Sequence, residues 1–126
     1  MSADGDHERG MRVRREILGD EHVDRAIENT AELTAAFQEL ITRYAWGEIW
    51  DRRDLSRRDR SIATLAVLVA IRAENEIAMH VRAALRNGLT ETEVKEVILH
   101  TALYAGLPAA NAAFAIAQDV IAERDS

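Results

Sequence analysis

Residues 61–71 read SIATLAVLVAI, and the fold class turns on what this run can be. It is apolar almost all the way round a helix and lacks the alternation of apolar and polar residues that marks a half-buried strand. Directly ahead of it, Ser56 and Asp59 have the spacing of a capping box, in which an N-cap hydroxyl accepts a hydrogen bond from the backbone N–H three residues on. The pattern predicts a central buried helix. At about eleven residues it falls far short of the roughly twenty that a membrane-crossing helix needs, so no membrane span is expected.

Upstream, Leu33, Phe37, Leu40, Ile41 and Tyr44 form an apolar stripe that predicts one helix from about Ala31, ending near Gly47. Val13, Ile17 and Leu18, then Val23 and Ile27, predict two short helices broken at Gly19. The stretch MSADGDHERG, residues 1–10, is polar and reads as a frayed tail rather than a signal peptide or anchor, leaving 11–126 as a single domain. Downstream, a helix over about Glu74 to Asn87 meets Gly88 at its C-terminal end. Thr90 and Glu93 have a second capping-box spacing, Gly106 is placed to stop that helix, and Pro108 suits the first turn of the next. The last helix, AANAAFAIAQDVIAE, is rich enough in alanine to approach a neighbouring helix or subunit closely.

Composition agrees with an all-α chain: 126 residues, 48% hydrophobic, with one proline, six glycines and 5% aromatic residues. There is no cysteine, which removes disulfides, thiolate nucleophiles and thiolate metal sites from the inventory. A net charge of -6 argues against nucleic acid, which needs a basic footprint, and a cytoplasmic location is the expectation. Any anionic ligand must find a local cluster of cations.

Two stretches offer chemistry. In ENEIAMH, residues 74–80, His80 lies about 60° from the centre of the apolar stripe of Ile77, Val81 and Ala84, and Glu76 about 100° away on the same side, one turn earlier. A carboxylate there is within reach of the imidazole and would favour its protonated form. Helix geometry alone describes a satisfied core histidine better than a catalytic one. In RRDLSRRDR, residues 52–60, five arginines crowd the start of a helix, where they oppose the macrodipole. They read either as an anion site built from Arg57, Arg58 and Arg60 or as solvated partners of Asp51, Asp54 and Asp59. Trp46 and Trp50 could wall an apolar pocket beside them or be plain core, and Glu48 stands between the two in sequence. His100 reads as solvent-facing, and His7 and His22 carry no supporting context.

The stretches HVRAALRNGLTETEVKEVILHTALYAGLPAANAAFAIAQ, ITRYAWGEIW and GMRVRREILGDEHVDRA resemble the carboxymuconolactone decarboxylase family, from about Gly10 to Glu123. The resemblance implies the alkyl hydroperoxidase D-like fold, an all-α bundle of about six to seven helices with no sheet, in chains assembled as homo-oligomers, trimers or hexamers. It also implies cofactor-independent decarboxylation of an anionic lactone dicarboxylate, with no metal. Peroxidase-like relatives carry a C-x-x-C pair ahead of the family histidine, but Ala73 and Glu76 stand at those positions, which excludes peroxidase chemistry. They also carry a glutamate directly after the arginine matching Arg60, where this chain has Ser61, so a relay glutamate must be Glu48 or Glu76. Arg53 and Asp54 replace a Pro-Gly pair of the decarboxylases after the second tryptophan. On the resemblance, His80 becomes the acid, Glu48 or Glu76 its partner, Arg57, Arg58 and Arg60 the substrate grip, and Trp46 and Trp50 the apolar wall. The alternatives are a helical binding or assembly module without turnover, and a decarboxylase or isomerase of a related lactone acid.

Overall fold

A computed structural model describes residues 3–125, so Met1 and Ser2 of the expected tail, and Ser126, lie outside the described residues. The described residues form seven α-helices and one π-helical segment, with no strand among them. The helices are α1 (Ala3–Leu18), α2 (Asp20–Glu28), α3 (Glu32–Leu40), α4 (Arg57–Ala70), α5 (Glu74–Arg86), α6 (Glu91–Ala105) and α7 (Leu107–Asp125), with the π-helical segment at Ile41–Ile49. No helix among the described residues is long and apolar enough to cross a membrane. The chain divides into two compact units, one up to Leu55 and one from Ser56.

In the first unit α1 packs along the π-helical segment, which continues directly from α3. The crossing is made by glycines. A Cβ on Gly10 would lie 1.9 Å from the backbone oxygen of Thr42, and one on Gly47 would lie 3.3 Å from the Cα of Gly10. The Arg9 Nε–H donates across the same crossing to the Gly47 carbonyl at 2.9 Å. Two expectations change here. Residues 3–10 are the first turns of α1 rather than a frayed tail, since Gly10 and Arg9 bind them to the partner helix. Gly47 does not end its helix, because its missing side chain serves the close approach and the segment runs on to Ile49.

The break expected at Gly19 is present, with φ at +91° between α1 and α2. Val13, Ile17, Val23, Trp46 and Trp50 form the buried apolar set of this unit. The stripe of Leu33, Phe37, Leu40 and Tyr44 has the expected helical period but faces outward, with Leu33 94% and Phe37 60% exposed.

In the second unit α4 packs against α5, α6 and α7. Its buried stripe is Ser61, Leu65 and Val69, while Val67 and Ile71 are exposed, so the helix is central to its unit but buried on one face only. Ser56 caps it, its Oγ accepting from the Asp59 N–H at 3.0 Å. Thr90 and Glu93 form the complete reciprocal box at the start of α6, at 3.0 and 3.1 Å. Gly88 and Gly106 adopt φ of +105° and +98°, the left-handed region in which a side chain is strained, and each closes a helix. The small side chains Ala109, Ala110, Ala113 and Ala117 let α7 lie close against the core of Leu65, Ile77, Val81, Val94 and Ile98.

Gly10→Ala is expected to cost about 2–3 kcal/mol of stability, because the added methyl meets backbone that cannot step aside. Gly88→Ala, with open space around the site, carries only the backbone strain of about 1–2 kcal/mol. Urea unfolding of the two variants checks the order, and a Gly10→Ala midpoint equal to wild type would refute the glycine crossing.

Candidate active site

The second unit carries two of the sequence-identified groups on packed helices, the arginines on α4 and His80 on α5. Ser56 fixes where α4 begins, which sets Arg57, Arg58 and Arg60 on its first turn, all half-buried. Three guanidinium groups therefore stand at the N-terminal end of α4, the end of a helix that favours an anion. Arg58 is engaged by carboxylates, paired with Glu93 of α6 and 3.7 Å from Asp59. Arg52 and Arg53 are exposed, and Arg52 pairs with Asp54 at 3.1 Å.

His80 lies on α5, half-buried on the margin of the stripe of Ile77, Val81 and Ala84, the position that helix geometry assigns it. Asn87 Nδ2 donates to the buried Ser61 Oγ at 2.9 Å, which ties the start of α4 to the end of α5. Counting helical rise from that bond, His80 stands roughly 10 Å along α5 from the level of Ser61, with Arg60 the nearest of the three arginines in height. Glu76, one turn earlier on the same helix, is exposed.

The first unit places the other candidates. Trp46 and Trp50 are both buried, with ring centroids 5.4 Å apart and planes tilted by 31°. Glu48 is exposed, at a shallow depression with Asp6, Arg9, Arg43 and Tyr44. It therefore does not share the buried side on which the two indoles lie, as its place between them in sequence had suggested.

His100 is exposed beside Tyr104, as its helix phase predicts. His7, for which the sequence offered no context, has Nδ1 2.6 Å from a Glu39 carboxylate oxygen. Arg14 was also missed: it is only 7% exposed, and burial pushes its pKa below the usual guanidinium value. Its signal in the sequence is phase, since it falls one turn after Gly10 and so on the side of α1 that meets the π-helical segment. Among the described residues no three His, Asp or Glu side chains converge as a metal site. A cavity of about 430 Å³ between α6 and α7, lined by Val94, Ile98, Phe114 and Ile121, contains none of the residues singled out in the sequence.

A half-buried imidazole can move a proton, and an arginine-bearing helix start can bind an organic anion. The carboxymuconolactone decarboxylase family model matches residues 35–119. The chain is 48% identical over 120 residues to 4-carboxymuconolactone decarboxylase of Acinetobacter baylyi, covering 95% of this chain and 90% of that protein. It is 41% identical over 112 residues to nitrosuccinic acid decarboxylase of Metarhizium robertsii, covering 89% and 78% respectively. A 4-carboxymuconolactone decarboxylase sequence of Pseudomonas putida shares 50% identity over 42 residues. With the family model matching residues 35–119, and identity to a named decarboxylase extending over 95% of its length, this chain belongs to the carboxymuconolactone decarboxylase family.

Proposed function

We propose that this protein decarboxylates 4-carboxymuconolactone to the enol-lactone of 3-oxoadipate and CO2, with no added cofactor. The observation that carries the reading is the 48% identity to a decarboxylase of that name over 95% of the chain. The substrate supplies its own electron sink. Its departing carboxylate sits on a carbon joined through an alkene to the lactone carbonyl, so the C–C bond pair moves into the ring as a dienolate. That dienolate then takes a proton at the α-carbon. The protein must therefore hold the substrate, face the departing carboxylate with apolar surface, and deliver one proton.

His80 is the proton donor in this reading, a step contributing roughly 10²- to 10⁴-fold. Arg57, Arg58 and Arg60 hold the acetate arm. A tight cation on the departing carboxylate would stabilise the ground state more than the transition state, so that group faces apolar surface, the role assigned to Trp46 and Trp50. Glu48 or Glu76 is the carboxylate through which the imidazole regains its proton, and the exposure of either suits exchange with solvent.

Nitrosuccinic acid, named for the Metarhizium relative, shares a fragment with the lactone: one carbon bears a carboxylate, a CH2–COO⁻ arm and a route to an electron-withdrawing group. That common fragment favours decarboxylation of a substituted succinate as the chemistry, with the identity of the electron sink as the variable. A different substituted succinate is therefore the second reading.

The protein is further proposed to act as a cytoplasmic homo-oligomer, a trimer or hexamer. Leu33, Phe37, Leu103, Tyr104 and Leu107 are each at least 60% exposed in the single chain, and burying them would be favourable.

Loss of freshly generated lactone, followed by ultraviolet absorbance, is expected with wild type alone, and His80→Ala should lower kcat by about 10²- to 10⁴-fold with its helical spectrum intact. Full turnover in that variant would move the proton donor elsewhere. Arg60→Gln and Arg57→Gln should raise KM by about tenfold or more with little change in kcat, as expected for groups that only bind; a fall in kcat at constant KM would overturn their role. Light scattering should give a mass of three or six chains for wild type and a smaller one for Phe37→Glu, and a monomeric wild type would refute assembly.

A further inference from the structure

Arg14 lies in the wall of a cavity of about 450 Å³ formed wholly within the first unit by α1, α2, α3 and the π-helical segment. Its Nη1 donates to Thr42 Oγ1 at 3.3 Å and its Nη2 to Gln38 Oε1 at 3.1 Å, while its buried Nε–H has no acceptor. Thr42 in turn donates to the Gln38 carbonyl at 2.8 Å, so the hydroxyl is held with its lone pairs towards the guanidinium. Both acceptors are neutral, and Arg14 forms no ion pair among the described residues. A buried lysine or histidine could relieve such a position by losing its proton, but a guanidinium cannot, so the charge persists.

The acidic side chain of the cavity does not meet this need. Glu39 is 2.6 Å from His7 Nδ1 and 3.6 Å from Arg43 Nε, and it stands 44% exposed at the rim. The rest of the wall is divided by chemistry: Met11, Ile27 and Ala35 are aliphatic, while Gln38 and Thr42 flank the guanidinium. The volume is that of a small-molecule site. A ligand that suits it carries one carboxylate for the Arg14 guanidinium and a short aliphatic body for the apolar wall.

We infer that this cavity binds a small aliphatic carboxylic acid through Arg14. Neither the catalytic reading nor the roles of His80 and the α4 arginines is needed for this site, because every wall residue lies between His7 and Thr42.

The test is a titration followed by ¹H–¹⁵N spectra of arginine Nε–H groups, with the Arg14 resonance identified by its loss in Arg14→Lys. Sodium pentanoate should move that resonance saturably, with a midpoint at least tenfold lower than that of sodium acetate, and sodium chloride at equal ionic strength should leave it in place. A resonance that stays still under pentanoate, or that moves alike with chloride, overturns the site. Equal midpoints for acetate and pentanoate overturn the aliphatic pocket. Pentanoate should also raise the melting temperature of wild type, and persistence of that rise in a folded Arg14→Gln would place the ligand elsewhere and overturn the proposal. If Arg14→Gln does not fold, the wild-type titration decides.

Discussion

Gly10 has no room for a methyl group, and the first unit is organised by that fact. With 1.9 Å between an added Cβ and the Thr42 oxygen, α1 and the π-helical segment meet backbone to backbone. The approach recruits the polar N-terminal stretch into a helix, draws the Arg9 side chain onto a backbone carbonyl, and brings Arg14 against Thr42 and Gln38. The second unit uses the same device with alanine, placing Ala109, Ala110, Ala113 and Ala117 where α7 meets its neighbours. Small residues at crossings exchange side-chain burial for close packing, which suits a chain with few aromatic residues.

Fixed positive charge enters through the opposite kind of residue. Arginine keeps its charge under any burial, so its placement controls where an anion can bind without help from a metal. The turn at Arg57–Arg60 and the isolated Arg14 differ in how that charge is answered. Arg58 is met by Glu93, whereas Arg14 has only an amide and a hydroxyl.

Local signals were legible because they depend on residues close in sequence. The break at Gly19, the caps at Ser56 and Thr90, the stops at Gly88 and Gly106 and the half-buried phase of His80 all follow from backbone preference and helical period. Reading errors arose wherever a distant segment decided. Gly47 looked like a terminator and is a crossing point; residues 3–10 looked like a tail and are held by the partner helix; and Glu48 looked like a neighbour of both tryptophans and faces solvent.

The sequence by itself determined the all-α class, the helix caps at Ser56 and Thr90, the absence of thiol chemistry and the family, since each is a property of composition, short spacing or residue-by-residue similarity. Only the tertiary structure decided which apolar stripe is covered and which is left outward, that Glu48 faces solvent, and that Arg14 is buried without a carboxylate. Period places a side chain on a face of its own helix. What that face meets depends on how near another backbone can come, and that distance is set by side chains far away in the chain.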